Sequence, residues 1–239
     1  MNSNISIIVP TYNESSNIKK LLKEIRLNIK SQIIIVDDSN NNLTKNLLKK
    51  EKMKIIYIKR MKKLGRGSAV LEGFKRALKN KNMKIFVEMD ADLSHPPAEL
   101  RRNIDYFKKK NLDLLIGSRY LKKSEIVNWP ISRRIFSRLA NYLAKFLLRI
   151  PCSDYTNGYR IYSKNAAKKV SEKCGKIGDG FIMLSEILLV LYKNNFKIGE
   201  IETKFINRLK GESSTNIKLI IASLKGLIKL FLKKNSIYY

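Results

Sequence analysis

Short apolar runs alternate with amphipathic segments through the first half of the chain. Runs of this length that are rich in Ile and Val are typical of buried strands, and the segments between them repeat with a helical period. The pattern predicts strands at 5–9, 32–36, 54–58, 84–89 and 113–117. It predicts helices at 16–28, 43–51, 67–80 and 98–109. This alternation is typical of an α/β fold, in which helices cover a parallel sheet whose strands all end at one edge.

After Arg119 the pattern is less regular. A polar linker precedes a predicted helix at 131–149, and a hairpin is expected around 154–162. The remaining predictions are helices at 165–172 and 181–194, a strand at 198–207 and a last helix at 216–234. A chain of 239 residues suits one large α/β domain. We therefore expect a single domain over residues 1–211, followed by an amphipathic helix within 212–239.

The last helix divides into a basic face and an apolar face. At 100° per residue, Lys218, Lys225, Lys229 and Lys233 fall on one side and aliphatic residues on the other. The predicted helix at 131–149 is divided in the same way. Such helices either lie in the interface of an anionic membrane or pack their apolar face on the domain. No apolar run reaches the roughly 20 residues that span a bilayer.

Composition narrows the classes of function. The chain carries 49 Lys and Arg against 20 Asp and Glu, a formal net charge of +29 at pH 7. Such a charge attracts nucleic acid, an anionic membrane or phosphorylated substrates, although a bias toward lysine explains it equally. A single His and two Cys without metal-ligand spacing argue against zinc sites and Ser-His-Asp triads. No signal peptide is recognisable, so we expect a cytoplasmic protein with reduced thiols.

Two carboxylates follow the predicted strand at 84–89. Side chains two residues apart point the same way from a strand, so Asp90 and Asp92 can reach one hard cation that in turn holds a diphosphate. The carboxyl end of a parallel strand is also where α/β folds bind ligands. The alternative is an ordinary acidic turn before a helix, capped by Asp92 or Ser94.

Two common phosphate-binding motifs are absent from the sequence. Gly65-Arg66-Gly67 lacks the third glycine of the dinucleotide fingerprint and does not follow the first strand. The chain also has no G-x-x-x-x-G-K-[ST] segment. Neither a dinucleotide fold nor a P-loop is therefore expected.

Five short motifs occur in order at the predicted strand ends and near the end of the chain. They are Pro10-Thr11-Tyr12-Asn13-Glu14, Val36-Asp37-Asp38-Ser39, Asp90-Ala91-Asp92-Leu93-Ser94-His95-Pro96-Pro97, Gly117-Ser118-Arg119-Tyr120, and Arg208 with Gly211 and Ser213. Together they resemble the dolichyl-phosphate mannose synthases, within the inverting glycosyltransferase family 2. The resemblance covers nearly the whole chain. It implies the GT-A fold, the Rossmann-like α/β fold of nucleotide-diphospho-sugar transferases.

The resemblance implies a nucleotide-sugar site at the ends of the first, second and fourth strands. The residues it assigns to the base and ribose are Pro10, Tyr12, Glu14, Val36 and Asp38. Ala91 is assigned to the donor as well. The alternative for Asp37 and Asp38 is a turn closed by Ser39.

The cofactor that the resemblance implies is Mg²⁺ or Mn²⁺. Its expected ligands are Asp90 and Asp92, with Ser94 as a third and weaker one. His95 is either a further ligand or, as is usual for a His before Pro-Pro, a structural residue.

The implied acceptor is a polyprenyl phosphate. A phosphate monoester is already an oxyanion, so the nucleophile needs no general base. The resemblance assigns the phosphates to Arg119, Arg208 and Arg133, the last together with Ser137. With Asp92, these three arginines are expected to carry the reaction, although a solvated surface charge is the alternative for each arginine.

One departure concerns the donor phosphates. Ser214 stands where the family has a lysine that touches them, so either Lys210 or Lys218 substitutes or donor binding is weaker. The segment from Asp154 to Arg160 also matches the family, and these two residues are expected either to pair with each other or to contact substrate.

We therefore expect an inverting enzyme that transfers mannose from GDP-mannose to dolichyl or another polyprenyl phosphate. The nearest alternative is the same reaction with UDP-glucose or another nucleotide sugar. A nucleic-acid-binding protein is a distant alternative that rests on charge alone, and the carboxylates argue against it. The expected partners include an anionic membrane surface and, by resemblance, a small membrane-anchoring subunit, with the enzyme peripheral on the cytoplasmic face.

Overall fold

The structure is a computed structural model, and it describes residues 4–51, 55–178, 180–207 and 217–234. Nine strands are described, namely β1 (Ile5–Thr11), β2 (Gln32–Asp37), β3 (Ile55–Lys59), β4 (Ile85–Glu88), β5 (Leu114–Ser118), β6 (Glu125–Val127), β7 (Arg160–Ser163), β8 (Ile198–Glu202) and β9 (Lys204–Ile206). The helices described are α1 (Ser15–Asn28), α2 (Leu43–Lys49), α3 (Arg66–Leu78), α4 (Leu100–Lys109), α5 (Ile131–Leu148), α6 (Lys164–Lys173), α7 (Phe181–Lys193) and α8 (Ile217–Lys233). A short 3₁₀ turn, Pro97–Glu99, leads into α4.

Seven strands form one sheet in the order β3-β2-β1-β4-β7-β5-β8. All are parallel except β7, which runs antiparallel between β4 and β5. The predicted parallel strands are confirmed with small shifts at their ends, and their carboxyl ends meet at one edge as expected.

The core lies on both faces of this sheet. Because side chains alternate along a strand, Ile8 and Ile34 pack on one face with α3, α6 and α7, while Ile7 and Ile33 pack on the other with α1 and α4. The result is three layers, with helices on both faces and the carboxyl edge left open for a site.

The hairpin expected around 154–162 is wrong. Residues before Gly158 form a loop, and β7 pairs instead with β4 and β5, which are distant in sequence. The single strand expected at 198–207 is also wrong, because it breaks at Thr203. The Thr203 hydroxyl and the Lys204 N–H both donate to the carboxylate of Glu99, which turns the chain away from the main sheet. The second piece, β9, pairs with β6 in a separate two-stranded sheet.

Two helices expose apolar side chains. On α5 the exposed large apolar residues are Ile131, Ile135, Phe136, Leu139, Tyr142 and Phe146. Most of the predicted apolar face of α5 is therefore exposed, and packing on the domain holds, within that face, only for Leu143, which lies against the core.

The last helix is divided between core and surface. Leu227 and Leu230 of α8 are buried in the domain core. The alternative in which the apolar face packs on the domain is therefore confirmed for this part of the helix. Leu224, Ile228 and Leu232 are exposed, as are Lys225, Lys229 and Lys233. The structure does not describe residue 211, where the domain boundary is expected, or the side chain of Lys218. Within the described ranges, no helix is long and apolar enough to cross a bilayer.

Candidate active site

A cavity of about 180 Å³ opens at the carboxyl ends of β1, β2 and β4. Seven of its lining residues were predicted from the sequence: Pro10, Tyr12, Glu14, Asp38, Asp90, Ala91 and Asp92. The other lining residues, which the sequence reasoning missed, are Thr11, Lys63, Gly65, Arg66 and Ala69. The structure therefore brings most of the expected donor residues together around one space.

The turn after β1 forms one wall of the cavity. Asn13 adopts a left-handed conformation with φ of 57°, and its N–H donates to the Ser39 hydroxyl at 2.8 Å. The Tyr12 ring is partly exposed, and the ammonium group of Lys63 lies 4.0 Å from its centre. An aromatic ring with a cation beside it is suited to a nucleotide, because the ring can stack on a base and the cation can meet a phosphate.

Val36 does not reach the cavity. Its side chain has no exposed surface and packs in the core beside Ile8 and Ile34. The Val36 side chain is therefore not the group that would contact a nucleoside, and a contact through its backbone stays a prediction.

Asp37 and Asp38 have different roles at the end of β2. Asp37 is fully buried and closes the turn by accepting from the Ser39 N–H at 2.8 Å and from the Tyr57 hydroxyl at 2.7 Å. Burial, and then the Asp37 carboxylate, raise the pKa of Tyr57. These contacts support the alternative in which Asp37 closes a turn with Ser39.

The carboxylate of Asp38 already has several donors. Both of its oxygens pair with the Arg60 guanidinium, and one accepts from the N–H groups of Leu64 and Gly65 at 2.9 and 3.0 Å. Asp38 therefore holds the loop that leads into α3. A direct contact between Asp38 and a nucleoside stays a prediction.

The segment after β4 is a tight polar turn. The N–H of Ser94 donates to Asp92 Oδ1 at 3.0 Å, and Leu93 between them has a φ of 63°. The N–H of Asp90 donates to His95 Nδ1 at 3.0 Å. Because Nδ1 accepts, the proton is on Nε2, which lies 3.0 Å from Asn157 Oδ1. His95 is buried and stacked on Tyr159, so its contacts support the structural alternative.

Arg66, at the start of α3, links the acidic side chains of this turn. Its Nε donates to Asp90 Oδ1 at 2.7 Å, and Nη1 pairs with Glu88, which is fully buried. Burial alone would lower the pKa of Arg66, but the two carboxylates outweigh it and raise the pKa. A Cβ on Gly158 would lie 1.9 Å from Arg66 Nη2, so a larger residue there would displace the end of the Arg66 side chain.

The donor set fits a hard divalent cation only in part. Asp90 and Asp92 lie in the cavity wall, and Ser94 Oγ is buried with no hydrogen-bond partner in the described part of the chain. Within that same part, no group of three or more His, Cys, Asp or Glu side chains can hold a metal alone. Mg²⁺ typically binds one or two carboxylates and completes its coordination with substrate phosphates and water. The residues therefore fit a cation that is shared with a diphosphate.

A second group of polar residues lies at the end of β5. Arg119 is buried, and its Nε and Nη2 each donate to Asp154 at 2.8 Å, while its backbone N–H donates at 3.0 Å. The expected pairing of Asp154 with Arg160 is therefore wrong. Arg160 is fully buried and donates to the carbonyl groups of Asn157, Leu184 and Tyr155.

The pairing of Arg119 with Asp154 determines the charge state of both groups. Burial by itself would raise the pKa of Asp154, but the Arg119 guanidinium and its hydrogen bonds dominate and lower it. Burial would likewise lower the pKa of Arg119, which Asp154 raises. Among the residues that the structure describes, none accepts a hydrogen bond from Nη1 of Arg119. Nη1 is therefore the one nitrogen of this guanidinium that has no acceptor there, although the side chain is only 4% exposed.

The predicted acceptor residues of α5 lie beside Arg119. The guanidinium carbon of Arg119 is 5.4 Å from the centre of the Trp129 ring, and that of Arg133 is 4.7 Å from the same ring. Ser137 accepts a hydrogen bond from the Tyr120 hydroxyl at 2.6 Å. The structure thus brings Arg119, Arg133 and Ser137 together.

The remaining site predictions fall on segments that the structure does not describe. Arg208, Ser214 and the alternative Lys210 lie in 208–216, between β9 and α8. Their roles stay predictions.

Comparisons of sequence support the resemblance. The profile of Glycosyl transferase family 2 matches residues 6–171. The chain is 32% identical over 212 residues to polyprenol monophosphomannose synthase of Mycolicibacterium smegmatis, covering 87% of this chain and 79% of that protein. It is 34% identical over 236 residues to dolichol-phosphate mannosyltransferase of Pyrococcus furiosus, covering 95% of this chain. The match spans 63% of the length of that second relative.

Solved structures match the fold. Glucosyl-3-phosphoglycerate synthase from Mycobacterium tuberculosis, in complex with Mn²⁺, UDP and phosphoglyceric acid, matches with a TM-score of 0.67 and 15% identity, covering 98% of this chain and 78% of that one. The same enzyme with Mg²⁺ and UDP matches with a TM-score of 0.65 and 14% identity, covering 96% and 78%. At this identity the likeness concerns the fold alone, and it confirms the predicted GT-A α/β domain. By its sequence, this chain belongs to glycosyltransferase family 2 and is a glycosyltransferase.

Proposed function

We propose that this glycosyltransferase transfers mannose from GDP-mannose to dolichyl or another polyprenyl phosphate, with inversion and with Mg²⁺ or Mn²⁺ as cofactor. One observation carries the proposal: a cavity whose carboxylates fit a cation shared with a diphosphate and a group of arginines suited to a phosphate lie on the same sheet edge. The donor cavity is at the end of β4, and the Arg119 group is at the end of β5. The names of the two sequence relatives support mannose as the sugar and a polyprenol or dolichol phosphate as its acceptor.

The residues present can support the reaction without a general base. Arg119 Nη1 and the Arg133 guanidinium are suited to hold the acceptor phosphate, whose oxyanion attacks the anomeric carbon directly. Asp90 and Asp92 would hold the cation, which when bound neutralises charge on the leaving diphosphate. Arg66 fixes the orientation of Asp90. Attack opposite to the leaving group gives inversion.

Transfer from labelled nucleotide sugars to a short polyprenyl phosphate tests this proposal. We expect metal-dependent transfer from GDP-mannose that EDTA abolishes, and a β-linked product by NMR. UDP-glucose and UDP-GlcNAc in parallel reactions test the alternative donors. Transfer from a UDP-sugar alone would contradict the proposed donor, and transfer to no polyprenyl phosphate would contradict the acceptor.

We further propose that the enzyme docks on the surface of an anionic membrane through α5 and α8. The exposed apolar side chains of α5 suit the interfacial region, and the exposed Lys225, Lys229 and Lys233 of α8 suit anionic headgroups. Each basic residue near such a surface contributes about 1 kcal/mol, and salt screens it. Docking there would bring the end of β5 close to a lipid-linked phosphate.

Co-sedimentation with anionic liposomes tests the docking. Replacing Lys225, Lys229 and Lys233 with Gln should reduce sedimentation and slow transfer to long polyprenyl phosphates, but not to a short soluble one. The matched control replaces Lys19, Lys20 and Lys23 on α1, which covers the opposite face of the sheet. Equal loss in both triple variants would mean that net charge alone, and not this surface, drives binding.

A further inference from the structure

We propose that Trp129 is a positioning residue of the acceptor site. Its ring contacts both Arg119 and Arg133 and holds them in place. The inference rests on the proposed function, because it assigns those two arginines to the acceptor phosphate. It goes beyond that function by naming what fixes their relative position.

The geometry around the Trp129 ring is unusual for a buried aromatic residue. Two guanidinium groups from different elements lie 5.4 and 4.7 Å from its centre, both within the range of a cation–π contact. Two like charges repel each other, and the electron-rich face of the indole offsets part of that repulsion because it attracts both. Arg119 is also held by Asp154 and lies 5.5 Å from the centres of the Tyr120 and Phe205 rings, whereas Trp129 is the ring that it shares with Arg133.

Neighbouring contacts keep the ring in place. Trp129 lies between β6 and α5, and its ring packs on Phe205 of β9 with centres 5.1 Å apart. Phe205 also contacts His95, 5.8 Å away, which accepts from the backbone of Asp90. A continuous set of contacts therefore joins the ring to the donor turn. Through it, the position of the acceptor arginines is fixed relative to the proposed metal ligands.

The indole N–H indicates that Trp129 does more than fill space in the core. Trp129 is 8% exposed, and its Nε1 is buried with no hydrogen-bond acceptor among the described residues. A buried donor without a partner is unfavourable, and a phenylalanine at this position would avoid that cost. Tryptophan binds cations more strongly than phenylalanine or tyrosine. Its use here is explained by the two guanidinium groups on its ring.

A graded pair of substitutions tests the proposal. In Trp129→Leu we expect the KM for a short polyprenyl phosphate to rise about tenfold, as the loss of two ordinary cation–π contacts implies. In Trp129→Phe, which keeps a weaker aromatic face, the rise should be smaller. The KM for GDP-mannose should stay nearly unchanged in both. Phe107→Leu, a truncation of a buried aromatic residue in α4, is the control for stability and should leave the acceptor KM unchanged.

Fluorescence gives a second readout, because Trp129 is the only tryptophan of the chain. Titrating wild-type protein with a short polyprenyl phosphate should change its emission in a saturable way, and Arg133→Gln should weaken that titration.

The two proposals fail in different ways. If Arg133→Gln leaves both the acceptor KM and the titration unchanged, the proposed acceptor site is wrong. If Arg133→Gln raises the acceptor KM but Trp129→Leu does not, the acceptor site stands and the role of Trp129 is refuted. An equal rise of the acceptor KM in Phe107→Leu would also refute it, because the effect would then follow from lost stability.

Discussion

Replacing Asp154 with Asn should destabilise the protein strongly, although it changes the shape of one side chain very little. The Asp154 carboxylate is fully buried and accepts from Arg119 through Nε, Nη2 and the backbone N–H. It also accepts from the N–H groups of Thr156 and Asn157 at 3.1 and 3.0 Å. An asparagine keeps one acceptor oxygen, turns an NH₂ group toward these donors and leaves the Arg119 charge without its counter-ion.

Breaking a buried ion pair from one side costs about 3–5 kcal/mol. In a chain of this size each kcal/mol lowers Tm by about 2–4 °C, so we expect Asp154→Asn to lower Tm by roughly 6–20 °C. Urea unfolding followed by circular dichroism measures the loss directly. The control is Glu24→Gln, which removes one member of a mostly exposed pair with Lys20 and should cost less than about 0.5 kcal/mol.

The difference in the free energy of unfolding between wild type and Asp154→Asn should become smaller in acid. The pKa of Asp154 is lower in the folded protein than in the unfolded chain. The pair therefore contributes its full stability above the unfolded pKa of about 4, and loses it as the pH falls through the lowered folded value. The difference should be constant between neutral pH and about pH 5, and should shrink in more acidic solution. A difference below about 1 kcal/mol at neutral pH, or one that is unchanged in acid, would refute the reasoning.

Three further predictions concern other parts of the molecule. Asp92→Asn should lower mannose transfer by about 100-fold or more while Tm changes little, since Asp92 is a proposed ligand of the cation and lies in a partly exposed position. Full transfer in this variant would contradict the metal assignment. Gly158→Ala should cost about 1–3 kcal/mol in urea unfolding, because the new methyl group would displace Arg66 from its carboxylates. Cys152 and Cys174 are buried, and burial raises the pKa of Cys152 to about 12, so neither thiol should react with DTNB at pH 8 until urea unfolds the protein.

The sequence predicted the parallel strands because each is buried on both faces and is therefore a continuous apolar run. It did not predict β7. The residues of β7 pair with β4 and β5, and a local pattern of apolar residues does not show which distant strands will accept a segment or in which direction. The same limit explains the break at Thr203, which depends on a carboxylate in another layer.

The sequence placed several candidate residues correctly at the edge of the sheet, but it did not show the partners that come from distant parts of the chain. Asp90 and Asp92 are adjacent in sequence to a recognisable strand end. Arg66 is not, and its role depends on Glu88, which reads as an ordinary strand residue. The sequence offered one clue, a glycine just before the predicted helix, and in the structure Gly65 has a φ of 91° that favours glycine.

The antiparallel strand β7 also sets the distance between the ends of β4 and β5. Adjacent strands lie about 4.8 Å apart, so inserting one strand between β4 and β5 separates their ends by about 10 Å. The single strand β7 therefore acts as a spacer: it holds the turn that carries Asp90 and Asp92, at the end of β4, about two strand widths from the Arg119 group at the end of β5.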